Sequence, residues 1–268
     1  MSKLLFQNKV VWITGASSGI GEALAYAFNR EGAKLILSAR RQPELERVKK
    51  QCPKGPADDI AILPLDLNEL DTLGDKSKQA LSAFGQVDIL INNGGIGQRG
   101  RAVETILKVD CLMMNVNYLS HVALTKYVLP SMLERKAGHI VVVSSLMGEL
   151  YTAKRSAYAA TKHALHGFFD CLRAEVAPYG VRVTIASPGW VRTNISFNAL
   201  RGDGTTFGKM DTEHANAISA AECAEGILKA VAKNKDQVYI GGAERYGVLV
   251  RRLLPGLYDR FIGRVRVT

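Results

Sequence analysis

Tyr158 and Lys162 stand four residues apart in Ser156-Ala157-Tyr158-Ala159-Ala160-Thr161-Lys162, a stretch of helix-forming composition. On a helix, residues i and i+4 share a face, so the phenol and the ammonium address one small volume. A neighbouring cation favours phenolate over phenol and draws a pKa of ~10 toward neutrality, which makes the pair a candidate proton donor. Tyr-x-x-x-Lys also describes many surface pairs, and the surroundings decide its meaning. Thirteen residues before Tyr158, Ser145 ends the run His139-Ile140-Val141-Val142-Val143-Ser144-Ser145. Such an apolar run reads as a parallel strand buried on both faces, and open α/β sheets bind ligands at the carboxyl ends of their strands.

A second chemistry lies near the amino end. The strand-like Lys9-Val10-Val11-Trp12-Ile13 leads directly into Thr14-Gly15-Ala16-Ser17-Ser18-Gly19-Ile20-Gly21, and helical composition follows from Glu22 to Glu31. Gly32 stops that helix before a second strand, Lys34 to Ser38. In such a βαβ unit Gly15 permits the tight turn, Gly19 lets backbone approach a pyrophosphate, and Gly21 allows close helix packing, while the helix N-terminus supplies N–H donors. A carboxylate after the second strand would bind the ribose 2′-hydroxyl of NAD and repel a 2′-phosphate. Ser38-Ala39-Arg40-Arg41 has two guanidiniums there instead, which favours NADP(H); Arg41 could equally be a solvated residue opening the helix at Pro43.

The scaffold follows from the remaining punctuation. A third strand over Ile60 to Leu65 ends in Asp66-Leu67 at the cofactor edge of the sheet, where Asp66 could take an adenine amino group or cap a helix starting near Glu69. A fourth strand, Val87 to Ile91, runs into Asn92-Asn93-Gly94-Gly95-Ile96-Gly97, a tight backbone beside the cofactor or a plain turn. Helical periodicity spans Ile106 to Arg135 with Asn117 at its centre, and a buried amide needs partners, in the simplest case the backbone of a bent helix. After the helix carrying Tyr158, a sixth strand, Val181 to Ala186, ends in Ser187-Pro188-Gly189-Trp190-Val191-Arg192-Thr193, a stiff turn that could face a nicotinamide. Residues 194 to 218 lack periodicity and read as a substrate loop or lid. Ser219 to Glu222 is a capping box, and Gln237 to Gly241 is a seventh strand. The fold class is therefore α/β, a single-domain Rossmann fold with a doubly wound seven-stranded parallel sheet and helices on both faces. Its catalytic domain is expected over residues 1–245, with the substrate loop at about 190–220 and a C-terminal arm over 246–268.

The chain has 268 residues, 47% hydrophobic and 22% charged, which suits a folded globular protein. Its net charge of +10 suits an anionic partner, whether phosphate, acidic lipid or nucleic acid, and no nucleic-acid module accompanies it. Cys52, Cys111, Cys171 and Cys223 have neither disulfide-framework nor metal spacing and are expected as reduced, mostly packed thiols in a cytoplasmic protein. No signal-peptide stretch occurs in Met1 to Asn8, and no run of about eighteen apolar residues occurs anywhere. His121, His139, His163, His166 and His214 form no ligand motif, so no metal is expected. In the arm, Leu249, Val250, Leu253, Leu254, Leu257, Phe261 and Ile262 recur at helical spacing among Arg251, Arg252, Arg260, Arg264 and Arg266, with Pro255 interrupting. This element lies on an anionic membrane as a peripheral contact, lines an entrance for a lipophilic substrate, or packs on the core or a neighbouring subunit.

Taken together, the T-G-x-x-x-G-x-G turn at Thr14 to Gly21, Asp66, N-N-x-G at Asn92 to Gly95, Asn117, Ser145, Tyr158 with Lys162, and P-G-x-x-x-T at Pro188 to Thr193 resemble the NADP-preferring short-chain dehydrogenases/reductases over about residues 7 to 242. Details such as N-N-G-G are most similar to the hydroxysteroid dehydrogenase-like and dehydrogenase/reductase member 7-like branch, although most members carry alanine at Gly94. The resemblance implies Asn117, Ser145, Tyr158 and Lys162 as the catalytic set, with Tyr158 the general acid or base, Lys162 its tuner and a ribose ligand, Ser145 the substrate-oxygen donor, and Asn117 the holder of a water leading to Lys162. It also implies an NADP(H) site of Gly15, Ser17, Ser18, Gly19, Ile20, Gly21, Arg40, Arg41, Asp66, Leu67, Asn93, Gly94, Pro188, Gly189, Val191 and Thr193, shared with Tyr158 and Lys162. The expected activity is reduction of a carbonyl or oxidation of a secondary alcohol on a lipophilic small molecule, steroid-, retinoid- or acyl-like, by a homodimer or homotetramer. The competing reading is a catalytically silent NADP-binding sensor or scaffold, which would have no need to keep the whole catalytic set.

Overall fold

A computed structural model describes residues 4–55, 57–209 and 217–262 of the chain. Short β-branched runs form the strands β1 (Val10–Thr14), β2 (Lys34–Ser38), β3 (Ile60–Ile62), β4 (Ile89–Asn92), β5 (Gly138–Val143), β6 (Val181–Pro188) and β7 (Gln237–Ile240). All pair in parallel, in the order β7-β6-β5-β4-β1-β2-β3. Between them run α1 (Gly19–Arg30), α2 (Gln42–Gln51), α3 (Leu73–Ala83), α4 (Leu107–Met114), α5 (Ser120–Glu134), α6 (Ser156–Val176) and α7 (Ala220–Ala232).

Alternation along the strands builds two cores. Val11, Ile13, Leu35 and Leu37 face Leu24 and Phe28 of α1 and Ile227 of α7, whereas Val10, Trp12, Ile36 and Leu90 face Leu124 and Val128 of α5 and Leu165 and Phe169 of α6. Strands buried on both faces need no polar alternation, which is why they read as continuous apolar runs. The chain winds outward from β1 through β2 to β3, then returns to place β4 on the other side of β1. The strand order reverses between β1 and β4, and the crevice at such a switch point is where doubly wound sheets hold ligands.

Two expectations change. β3 stops at Ile62, because Pro64 has no N–H and the pairing continues only as isolated bonds from Leu63 and Leu65 N–H to Leu37 and Ala39 carbonyls. The helix after it begins near Glu69 as expected, Glu69 capping a 3-10 turn, Leu70–Thr72, that leads into α3. The long helix over 106–135 is α4 and α5 joined by a wide π turn, Asn115–Leu119, with Asn117 inside it.

Residues 194–209 and 217–218 are less irregular than their sequence. Leu200–Arg201 pairs with Gln98–Arg99, and Ile218–Ser219 pairs with Val191–Arg192. The capping box holds α7 as expected, with Glu222 N–H donating to Ser219 Oγ at 3.1 Å. Two more helices, α8 (Gly247–Leu253) and α9 (Pro255–Ile262), break at Pro255 and pack inward through Val248 and Tyr258. Arg264, Arg266 and His214 lie outside the described residues. Among the described residues, no helix is long and apolar enough to cross a membrane.

Candidate active site

β1 and β4 deliver the first half of the site. Thr14 Oγ1 donates to the Ile91 carbonyl at 3.2 Å and accepts the N–H groups of Asn93 and Gly94 at 3.0 and 3.1 Å. Asn93 Nδ2 returns the contact by donating to the Thr14 carbonyl at 2.9 Å. These bonds press the two turns together so closely that a Cβ on Gly15, at φ +66°, would stand 2.6 Å from Gly94 Cα. The departure at Gly94 also has a local cause, since an added methyl there would meet Leu67 Cδ1 at 2.5 Å. Thr14 is thus a positioning residue, marked in the sequence only by its place at the head of the Gly-rich turn. His121 on α5 is another, its Nε2 donating to the Gly94 carbonyl at 2.8 Å, and a lone histidine at no motif spacing gave no signal for it.

The N-terminus of α1 opens beside this crossing. Ser18 is the N-cap, in extended conformation at φ −168°, and its hydroxyl makes no capping bond, so the first-turn N–H groups keep their donors turned toward a ligand. Ser17, Ser18 and Gly19 line a cleft of about 370 Å³ with Arg41, Arg192 and Thr193. Ile20 and Gly21 lie behind the lining, Ile20 against the core and Gly21 against the Gly15 carbonyl. Both Arg40 and Arg41 are exposed, and of the two Arg41 lines the cleft. Arg47 of α2 also lines it, gripped by Glu22 at 2.8 Å and Glu44 at 2.9 Å, and no sequence motif marks it. Asp66 spends one carboxylate oxygen on the Asn68 N–H at 2.9 Å, a local turn bond before the 3-10 segment, and Leu67 is buried. A dinucleotide phosphate fits this donor set: uncapped helix N–H groups, two serines and a guanidinium on one cleft.

β5, β6 and α6 deliver the second half. Ser145 leaves the end of β5 with Oγ accepting the Met147 N–H at 3.1 Å and lying 3.4 Å from the Pro188 carbonyl at the end of β6. It also favours the phenolate of Tyr158. Gly189 N–H is tied to the Ile240 carbonyl at 2.7 Å, Val191 is buried, and Thr193 reaches back over Gly19. Tyr158 and Lys162 do share a face of α6, with the ammonium 5.7 Å from the phenol ring centroid. Lys162 Nζ donates to the Val143 carbonyl at 2.9 Å.

The electrostatics differ from the expectation that Lys162 lowers the Tyr158 pKa. Burial dominates and pushes the phenol up, outweighing the Ser145 hydrogen bond and the Arg155 charge, while the same burial brings Lys162 down to about 8. Asn117 is fully buried and its amide is spent on protein: Oδ1 accepts the Ile96 N–H at 2.8 Å, and Nδ2 donates to the Ile96 carbonyl at 2.9 Å and to Thr161 Oγ1 at 3.3 Å. The side chain thus clamps the turn after β4 to α6, whatever its backbone holds.

Glu149, which no motif marked, is the other hub. Oε1 accepts from Gln237 Nε2 at 2.8 Å, the Tyr239 hydroxyl at 2.7 Å and Arg252 at 3.0 Å, and it stands 3.6 Å from His166 Nδ1. Of the cysteines, Cys223 is buried but Cys111 and Cys171 are exposed, so packed thiols are not the rule; all four are free.

Fold and site together define a doubly wound, dinucleotide-type oxidoreductase scaffold. The short chain dehydrogenase family profile matches residues 9–202. The chain belongs to the short-chain dehydrogenase/reductase family and, with it, is an oxidoreductase that uses a nicotinamide cofactor on a small-molecule substrate. Within the family it falls in the branch of dehydrogenase/reductase member 7-like proteins. It is 48% identical to the Anopheles gambiae "Dehydrogenase/reductase SDR family protein 7-like" over 94% of this chain and 81% of that one. It is 42% identical to the Mus musculus "Dehydrogenase/reductase SDR family member 7B" over 97% and 82%. Among solved structures, a short-chain dehydrogenase from Streptomyces avermitilis superposes with a TM-score of 0.80 at 30% identity, over 95% of each chain. A serine dehydrogenase in closed form, complexed with NADP+, superposes with 0.78 at 28% identity, over 88% of this chain and 95% of that one.

Proposed function

We propose that the protein is an NADP(H)-dependent oxidoreductase that reduces a carbonyl, or oxidises the corresponding secondary alcohol, on a lipophilic small molecule. The observation that carries the reading is the buried Tyr158 and Lys162 on one face of α6, the ammonium 5.7 Å from the phenol ring centroid, with Ser145 at the end of β5. The bound nicotinamide supplies the hydride. Ser145 Oγ and Tyr158 Oη both donate to one acceptor, the carbonyl oxygen, and so fix its angle of approach. Tyr158 gives that oxygen its proton. Because burial keeps the phenol protonated at neutral pH, Tyr158 is loaded as an acid, which favours the reductive direction. Lys162, anchored on the Val143 carbonyl, supplies positive charge beneath the phenolate that forms. Asn117 keeps the turn after β4 fixed against α6 while this happens.

Arg41, beside Ser17 and Ser18, supports NADP(H) over NAD(H), since a guanidinium attracts a 2′-phosphate. The NADP+ held by the serine dehydrogenase neighbour agrees with this choice. Lipophilicity is supported by the apolar group around Tyr158, namely Val109, Met113, Ala157, Ile96, Met147 and Leu200. The exposed Leu119 and Tyr127, on the π turn and α5, support a homodimer or homotetramer, and the free thiols suit the cytoplasm. The test is NADPH oxidation across a panel of aldehydes, ketones, steroids and acyl-thioesters. Turnover confined to apolar carbonyls is expected, and no turnover with NADPH binding intact would favour the silent sensor.

A further inference from the structure

Ser145 is held by a very short element. Its Oγ accepts the Met147 N–H at 3.1 Å, the Gly148 N–H donates to the Ser145 carbonyl at 2.9 Å, and the Glu149 and Leu150 N–H groups donate to the Leu146 carbonyl at 2.9 and 2.8 Å. These bonds make 145–150 one unit, a 3-10 turn over Leu146–Gly148 with Ser145 at its N-cap and Glu149 at its C-cap. Met147, in the middle, packs into the apolar group around Tyr158. A single 3-10 turn has poor hydrogen-bond geometry and no stability of its own, so its orientation comes from tertiary ties.

Glu149 supplies those ties, its side chain only 13% exposed. Gln237 Nε2 and the Tyr239 hydroxyl on β7 donate to Oε1 at 2.8 and 2.7 Å, Arg252 on α8 donates to both oxygens at 3.0 and 2.9 Å, and His166 Nδ1 on α6 stands 3.6 Å away. An enclosed carboxylate that has satisfied itself with this many donors has few other positions open to it. Beside it, Gly148 lies so close to α6 that a Cβ there would stand 2.6 Å from His166 Nε2. The turn carrying Ser145 is thereby registered on the helix that carries Tyr158 and Lys162. The arm backs the same segment, the Tyr258 hydroxyl donating to the Tyr151 carbonyl at 2.9 Å and Arg251 lying 5.0 Å over the Tyr151 ring.

We propose that Glu149 is a positioning residue: by locking the turn that starts at Ser145, it keeps the Ser145 hydroxyl aimed at the carbonyl oxygen that Tyr158 protonates. This role rests on the oxidoreductase reading and adds a residue outside the expected catalytic set. The Ser145 hydroxyl has a competing acceptor in the Pro188 carbonyl, 3.4 Å away, so a loosened turn lets it settle there instead of on the substrate. Misplacement of a catalytic group by ~1 Å can cost about 10²-fold in rate. Through Arg252 the C-terminal arm becomes part of the frame of the active site, its guanidinium spent inward on the carboxylate that holds Ser145 in place.

A double-mutant cycle on the full chain tests the coupling, read as single-turnover hydride transfer from NADPH to a carbonyl compound that wild type reduces, at a temperature where every variant is folded. Glu149→Ala should slow transfer about tenfold while NADPH affinity stays within about twofold, and Glu149→Gln, which keeps the shape and one acceptor, should fall between Glu149→Ala and wild type. Ser145→Ala should slow transfer about 10²-fold. Adding Glu149→Ala to it should cost less than about twofold more, because the serine through which Glu149 acts is gone. A tenfold loss that persists in the Ser145→Ala background, a Glu149→Ala rate equal to wild type, or a loss of NADPH binding alongside the rate overturns the proposal. If Glu149→Ala does not fold, Arg252→Ala, whose side chain is exposed, takes its place in the cycle, with about threefold expected when Ser145 is present and no effect when it is absent. Wild type that binds NADPH and turns over no carbonyl sinks the oxidoreductase reading and this role with it, whereas wild-type turnover with additive losses sinks the role alone.

Discussion

His121 gives the site a pH dependence that can be worked out from its surroundings. The ring is fully buried, and its Nε2 lies 2.8 Å from the Gly94 carbonyl oxygen, which can only accept. Nε2 therefore carries the proton, and Nδ1 is a lone pair with no partner among the described residues. Burial, then the charge of Lys162, push the pKa down to about 3. The unfolded chain titrates near ~6.5, so between these values it binds a proton that the folded chain refuses, and stability falls as the pH falls. The slope approaches about 1.4 kcal/mol per pH unit, and by about pH 4.5 the accumulated loss is roughly 2–3 kcal/mol. His139, buried with Nε2 at 2.7 Å from Thr184 Oγ1 and pushed down to about 4, acts in the same direction. His121→Gln keeps a donor for Gly94 and does not titrate. Urea unfolding of both proteins at neutral pH and at about pH 4.5 should show the variant gaining roughly 2–3 kcal/mol on the parent across that interval, whatever their offset at neutral pH. Parallel profiles would mean that His121 titrates alike in both states, and the argument from its burial would be wrong.

Asn117→Ala leaves the Ile96 N–H and carbonyl without their buried partner, a cost of about 2–6 kcal/mol at about 1–3 per group, and thermal unfolding should shift down by roughly 5–20 °C. A shift under about 2 °C would remove the clamp role. Arg41→Ala should lower the preference for NADPH over NADH at least about tenfold, and Arg40→Ala should change it little, since only Arg41 lines the cleft; kcat/KM for the two cofactors measures both. Burial alone would raise the Glu149 pKa, but hydrogen bonds from Tyr239, Gln237 and Arg252 outweigh it and hold the carboxyl below its ordinary value. Its stabilisation is present above ~4.5 and lost as pH falls through the lower folded value, so the melting-temperature gap between wild type and Glu149→Gln should narrow below about pH 4.5.

The sheet was legible because its strands are short apolar runs closed by Gly, Ser and Asn, and because strand-turn-helix punctuation at Thr14 to Gly21 has few other meanings. The spacing of Tyr158 and Lys162 likewise carried their shared face. What a linear pattern could not carry was anything set by burial. A cation four residues away would by itself lower the Tyr158 phenol, yet enclosure outweighs nearby charges, and Lys162 turns to the Val143 carbonyl. The π turn around Asn117 leaves apolar periodicity unbroken, so only its hydrogen bonds reveal it. Arg40 and Arg41 are equal in sequence, and the first turn of α2 decides which one faces the cleft. Glu149 and Arg252 are about a hundred residues apart, and their contact exists only once β7 lies beside β6.

The most direct test of the account is Tyr158→Phe, assayed for NADPH binding by fluorescence titration and for carbonyl reduction in single-turnover kinetics. Ser145, Lys162 and the cleft beneath α1 do not depend on the phenolic proton, so NADPH affinity should stay within about threefold while hydride transfer falls by about 10²–10⁴-fold. A variant that keeps its turnover would show that the proton comes from elsewhere and contradict the central claim.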